Sequence, residues 1–417
     1  MSNGKTTSWE APPRPDWLAA LNREGGYLDL DAVVPLDAAS LIDYARQRSG
    51  LTDFGADDWQ EPFGVFLKSL AEEAELTLMG RLMMRNDLLL YLSTRLQVEE
   101  LHKRHPEILE EKIVEPMFIV GLPRSGTSIL FELLWQDPDV GVPLLWEALI
   151  PCPPPEASTY DSDPRIAQAD GLFDQWNRVT PEFAQIHEMR GHLPAECDLL
   201  MAPTFISDHL SATASVPSYM EWCAQADQTI SFRYHKQILQ VLQWKNPRKR
   251  WLLKAPAHLG KLPVLLNVYP DARIVHTHRD PMKSMASSAS LMGTLYYMRS
   301  DQRFNAELWD QFLMGEATAQ RLELVMDQRE QGLVPAENIV DSRYQDLMDD
   351  PIKCIQGIYQ HFGLSLTDTA KQRMQNYLAD KPKGKFGKHQ YSMDDSRSAE
   401  RALFQRYQSA YNVPNEM

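Results

Sequence analysis

Residues Met117 to Ser128, MFIVGLPRSGTS, run a short apolar strand into a loop bounded by Gly121 and Gly126, and this junction constrains the fold more than any other stretch. A strand, a glycine-bounded loop and a helix start let successive backbone N–H groups converge on an anion, with the helix N-terminus adding its field. The spacing is that of a P-loop. Thr127, however, stands where the P-loop lysine belongs, and a cation appears within the loop instead, as Arg124. The lysine that bridges the β- and γ-phosphates of a triphosphate is missing, which argues against a nucleoside triphosphate as the bound anion.

A second anion motif lies in Arg273 to Ser287, RIVHTHRDPMKSMAS. An apolar strand through Ile274 and Val275 ends at Arg279, a helix begins near Pro281, and Ser287 follows two helical turns on. Arginine offers a planar fork matched to phosphate oxygens, and a serine hydroxyl adds a neutral donor. Taken alone, an Arg279–Asp280 pair at a helix start with a solvated serine is the plainer reading. Two further pieces follow in order: Tyr344 in SRYQDLMDDP, and KPKGKFGKHQYS near the C-terminus, which on its own reads as a flexible basic tail.

This ordered set, spanning about residues 115 to 392, resembles that of sulfotransferases, which take a sulfuryl group from 3′-phosphoadenosine 5′-phosphosulfate and release adenosine 3′,5′-bisphosphate. The resemblance implies that Gly121, Pro123, Arg124, Ser125, Gly126, Thr127 and Ser128 form the 5′-phosphosulfate loop. It gives Arg279 and Ser287 the 3′-phosphate, Tyr344 the adenine, and Lys383, Gly384 and Lys385 a loop closing over the 3′-phosphate. Two positions depart from the pattern: Gln345 replaces the acid that usually follows the tyrosine, and Pro382 stands where many relatives have arginine. Lys385 or Lys388 would supply the charge lost at Pro382, and which lysine reaches the phosphate stays open.

Sulfuryl transfer needs a base for the acceptor hydroxyl, a cation for the bridging oxygen and in-line placement. Lys254, in WLLKAPAHLGKL, resembles the lysine of the Lys-Thr-His segment of cytosolic sulfotransferases. There the histidine is the base; here His258 falls near the matching position, two residues late. Glu147, in PDVGVPLLWEAL, resembles the glutamate of tyrosyl-protein sulfotransferases, also displaced by two, and bulky Trp146 beside it would raise its pKa toward neutrality. The two stand about equal as base candidates, with Arg124 as a cation at the 5′ end. His192 and Glu196, in HEMRGHLPAECDLLM, are the remaining base candidates and, beside Leu199, Leu200 and Met201, substrate-pocket candidates. His276 and His278 share one strand face and read as packing residues.

The 417-residue chain exceeds the size at which a single core stops growing, so one large domain with an added lobe is expected. Its formal charge of −15 argues against nucleic acid as partner. An anionic donor must therefore be held by local cations: Arg124, Lys254, Arg279, Lys383 and Lys385. Cys152, Cys197, Cys223 and Cys354 form no C-x-x-C pair, no HExxH or compact His/Cys cluster is present, and no metal is expected. The N-terminus lacks a signal-peptide core and no run is long enough to span a bilayer, which gives a cytoplasmic expectation. The helical N-terminal lobe could supply a homodimer face.

Helical spacing at Phe66, Leu70, Leu76, Met79, Leu82 and Met83 gives a helical lobe over residues 1–112. Residues 113–417 read as an α/β domain, a doubly wound parallel sheet of four to five strands. Its strand candidates are Met117–Val120, Trp251–Leu253, Arg273–His276 and Asn338–Asp341, and ligands are expected at their carboxyl ends. PCPPPEASTYDSDP (151–164) is a rigid connector, and about 165–248 is a helical insertion, read as a lid. The lid's Met and Trp content points to a small hydrophobic or lipid acceptor. Two other readings remain: a degenerate P-loop kinase or NTPase, with Asp280 or Asp341 as its metal acid, and a non-catalytic nucleotide-binding relative.

Overall fold

The computed structural model describes residues 9–305, 308, 312, 314–380 and 395–416. A five-stranded sheet organises them, in the order β2-β3-β1-β4-β5 with every pair parallel. The strands are β1 Met117–Gly121, β2 Val140–Gly141, β3 Arg250–Lys254, β4 Arg273–His278 and β5 Ile339–Arg343. All five residues of β1 are buried, as expected of a central strand covered on both faces. The α/β architecture is the one the apolar runs predict.

The strand missing from that expectation is β2. Only Val140↔Arg250 and Gly141↔Trp251 pair, on a segment bracketed by Pro138 and Pro143. Two residues carry no side-chain period, and proline on both sides confines pairing to a short sheet edge. The chain leaves β1 toward the β2 edge and leaves β4 toward the β5 edge. β1 and β4 are neighbours, so the crevice at their carboxyl ends is the topological switch point, where open α/β sheets hold ligands.

Helices Asp16–Gly25, Ala38–Ser49, Gln60–Glu73 and Leu78–Arg104 make up the N-terminal region. Leu41, Phe63, Phe66 and Leu92 share one continuous core with Phe118, Leu253 and Val275 of the sheet. Of the residues that gave the helical spacing, Leu82 is exposed, and Leu76 lies in the connection before the long helix, bridged to Ser300 and packed against the core. Between β2 and β3 the chain forms helices Arg165–Val179, Cys197–Met201, Asp208–Thr213, Pro217–Gln225 and Gln228–Trp244. A second apolar cluster joins this insertion (Trp176, Phe183) to Leu18, Met79 and Met83 and to Met292 and Leu295. No helix of the described residues is long and apolar enough to cross a membrane.

Candidate functional site

The loop after β1 is held in its shape by contacts beneath it. Gly121 aligns with Thr277 of β4, and a Cβ there would come within 2.2 Å of the Thr277 hydroxyl. That hydroxyl lies 2.6 Å from the Ser125 Oγ, which in turn donates to the Leu122 carbonyl at 2.6 Å. Ser125 and Thr127 are thus buried loop-builders, while Arg124 and Ser128 are exposed. Arg124 has φ 65°, a left-handed conformation unusual outside glycine, and Gly126 has φ 93° before helix Thr127–Leu134 begins. Pro123 is half-buried at the loop's crest.

Arg279, at the tip of β4, meets this loop directly. Its Nη1 donates to the Arg124 carbonyl at 2.8 Å, and its guanidinium stacks 3.9 Å from the Tyr344 ring centroid. Tyr344 in turn lies against Gly126, where an added Cβ would come 3.0 Å from its ring. Motifs more than 150 residues apart along the chain therefore converge at the switch point. Asp280, next in sequence, is buried, accepts from the Met282 N–H at 3.0 Å and starts helix Pro281–Tyr297. Ser287 falls in this helix, but its side chain lies outside the described residues, as do Lys383, Gly384 and Lys385.

Lys254 ends β3 beside Ile119 of β1, so its ammonium stands near the loop, 5.8 Å from the ring of Phe131 in the following helix. It is buried and contacts the Glu196 carboxylate. Burial pushes the Glu196 carboxyl up, but Lys254 and His187 outweigh it and hold the group below the usual glutamate range. Glu196 also lines an apolar cavity of about 190 Å³ walled by Trp176, Phe183, Met189, Leu199, Met292 and Leu295. His187 and His209 share that wall. Burial lowers His187, which feels Glu196, Lys254 and Arg124 together, and holds His209 down to about 4. A carboxylate held toward its ionised form and two histidines held toward their neutral form therefore line the cavity, and the Glu196 contact joins that wall to Lys254 at the end of β3.

The other base candidates are engaged elsewhere. Glu147 has no exposed surface; its carboxylate accepts from the Leu144 N–H at 2.8 Å and from Arg248 at 3.0 Å, capping helix Leu145–Leu149. Its pKa is raised, by burial. His258 is packed against Phe118 and Phe232, with ring centroids at 5.6 and 5.0 Å, and burial holds it far down as a neutral ring. Neither lines the cavity, and His192 is exposed outside it. His187 and His209 were not singled out from sequence. His187 opens the same HEMRGH run as His192, but only the fold shows which of the two turns inward.

One group among the described residues has metal-ligand spacing: His276, His278 and Asp341, with ligand atoms within 4.8 Å. Asp341 is already held by Arg329, at 2.7 and 2.9 Å, and by His278 at 2.9 Å. A carboxylate neutralised by a guanidinium is a poor cation ligand. Neither Asp341 nor the buried Asp280, which also accepts from Arg401 at 3.1 Å, is free to serve as a magnesium acid for a kinase.

Residues 116–368 match the family model described as sulfotransferase family. Over 294 residues the chain is 26% identical to the omega-hydroxy-beta-dihydromenaquinone-9 sulfotransferase Stf3 of Mycobacterium bovis, covering 67% of this chain and 70% of that protein. The Mycobacterium tuberculosis protein of the same name matches equally. Among solved structures, sulfotransferase STF1 from Mycobacterium tuberculosis superposes with TM-score 0.76 at 32% identity, over 89% of this chain and 98% of its own. Sulfotransferase STF9 from Mycobacterium avium gives 0.79 at 29%, over 91% and 97%. With a glycine loop that lacks the triphosphate lysine, an arginine on the next strand tip and a family match over all five strands of the sheet, the chain belongs to the sulfotransferase family.

Proposed function

We propose that the protein moves a sulfuryl group from 3′-phosphoadenosine 5′-phosphosulfate to the hydroxyl of a long, apolar small-molecule or lipid alcohol, with Lys254 and Glu196 at the reacting centre. The observation that supports this reading is the contact of Lys254, which ends β3 beside the strand that leads into the glycine loop, with Glu196 on the wall of the apolar cavity. The loop from Gly121 to Ser128 would hold the 5′-phosphosulfate through its amides and Arg124. Arg279 would take the 3′-phosphate, together with Ser287 and a lysine of the 383–385 stretch, and Tyr344 would lie against the adenine. The menaquinone-derived alcohol in the name of the Mycobacterium relatives agrees in class with an aromatic and aliphatic wall. The cysteines, all unpaired and three of them buried, fit a reducing compartment, so the cytoplasm is the proposed location.

In this reading the acceptor oxygen bonds to sulfur as its proton passes to Glu196. The bond from sulfur to the 5′-phosphate oxygen breaks, and its electron pair leaves on adenosine 3′,5′-bisphosphate. An ammonium has three N–H donors, so Lys254 can hold Glu196 and still serve the leaving oxygen. As charge builds on that oxygen Lys254 is drawn toward it, and Glu196, losing its cation, becomes a stronger base when a proton must be taken.

Transfer of labelled sulfate from the donor to a panel of long-chain alcohols, sterols, phenols and sugars tests the assignment. Product on the apolar alcohols is expected; product on sugars alone contradicts the acceptor class, and none on any acceptor contradicts the activity. Glu147 supplies a separate check. Glu147→Ala removes a buried carboxylate that caps a helix and strips the half-buried Arg248 guanidinium of its partner, and should lower stability to denaturant by about 2–4 kcal/mol, while kcat of the folded enzyme is retained. A stable variant without activity would return Glu147 to the reacting centre.

A further inference from the structure

The C-terminal segment reaches the proposed donor site from the side opposite the loop. Helix Gln405–Tyr411 ends at Asn412, whose φ of 52° is a left-handed turn that asparagine tolerates, and the Val413 N–H closes it on the Gln408 carbonyl at 2.9 Å. The chain reverses over buried Val413, and Asn415 accepts from Gln408 at 2.9 Å. The Glu416 N–H then donates to the Asp280 carboxylate at 2.7 Å. With its backbone pinned beside Arg279, Glu416 meets the arginine fork edge-on: Nε to Oε1 at 2.8 Å and Nη2 to Oε2 at 2.7 Å. The loop carbonyl of Arg124 takes Nη1 and Tyr344 covers the face of the guanidinium.

We propose that Glu416 is an internal competitor for the donor's 3′-phosphate, setting nucleotide affinity and easing release of adenosine 3′,5′-bisphosphate. This rests on the reading of Arg279 as the 3′-phosphate residue. A carboxylate and a phosphate offer the same pair of oxygens to a guanidinium, and one edge of the fork seats one of them at a time. The Arg279 and Glu416 side chains are 20% and 26% exposed, which keeps their pair weak enough to be displaced. A phosphate brings more charge and a third oxygen, so it wins when nucleotide is abundant. The carboxylate, tethered by Asp280, returns as the product leaves.

Calorimetric titration of the full chain and of Glu416→Gln with adenosine 3′,5′-bisphosphate, alongside stopped-flow release, tests this. The variant should bind about five-fold more tightly, equivalent to about 1 kcal/mol, with correspondingly slower release. Adenosine 5′-phosphosulfate, which lacks the 3′-phosphate, should bind both proteins alike. Unchanged or weaker bisphosphate binding by the variant, or an equal gain with both nucleotides, would overturn the proposal. Arg279→Ala separates the two claims: if it retains wild-type bisphosphate affinity, the donor reading falls and the competitor with it. If it loses affinity while Glu416→Gln gains none, only the competitor is wrong.

Discussion

Replacing Glu196 with glutamine should lower kcat by about 100- to 10 000-fold, the range in which a positioned general base contributes. The affinity for adenosine 3′,5′-bisphosphate should stay within about two-fold, because the base acts in the transition state and does not hold the nucleotide. Glutamine keeps the shape of the carboxylate and one acceptor for the Lys254 ammonium, so the cavity wall is preserved. The pH profile adds a signature. As a base Glu196 would act in its ionised form, and Lys254 and His187 hold its pKa below the ordinary glutamate value, so activity should be full at and above the ordinary value and be lost only as pH falls through the lowered one. In the wild type no acid limb from this group should appear above the ordinary glutamate range. A bell whose acid side falls near neutrality, with Glu196→Gln still active, would hand the role to a histidine of the cavity.

Arg279→Ala should weaken adenosine 3′,5′-bisphosphate binding by about 100-fold, the loss of two charge-assisted hydrogen bonds of about 1.5 kcal/mol each. The arginine is partly exposed and its removal leaves no buried charge unpaired at the loop, so the melting temperature should change little. Its contact with the Arg124 carbonyl gives the substitution a second route, through the shape of the anion loop. Calorimetry separates the two: a lost loop shape would weaken adenosine 5′-phosphosulfate as strongly as the bisphosphate, whereas a lost 3′-phosphate contact would not.

The strand tips that would hold the donor were legible from sequence because they rest on local rules. An apolar run ending in Gly121, and Arg279 at the end of Ile274 and Val275, are strand-tip signals that survive without a structure, and the parallel sheet follows from the long helical spacers between them. The cavity proposed for the acceptor was not legible, because its lining is assembled by packing. Glu196 and His187 line the cavity while His192, in the same short run, is exposed; Trp146 did suggest burial around Glu147, but the same burial carries a partner, Arg248, that turns the carboxylate into a structural cap. His258 shows the same limit: its place after β3 invites a catalytic role, and Phe118 and Phe232 enclose it instead. Glu416 had no local signal at all, since its meaning comes from a turn at Asn412 and an aspartate more than a hundred residues away.

A crystal structure with adenosine 3′,5′-bisphosphate bound tests the central claim most directly: that one nucleotide is gripped at both ends by the tips of β1 and β4, with its 5′ end turned to the cavity. The account predicts the 5′-phosphate on the amides of the 121–127 loop within hydrogen-bond distance of Lys254, and the 3′-phosphate on the Arg279 fork. A nucleotide seated away from the switch point, or one whose 5′-phosphate faces away from Lys254 and Glu196, would contradict it.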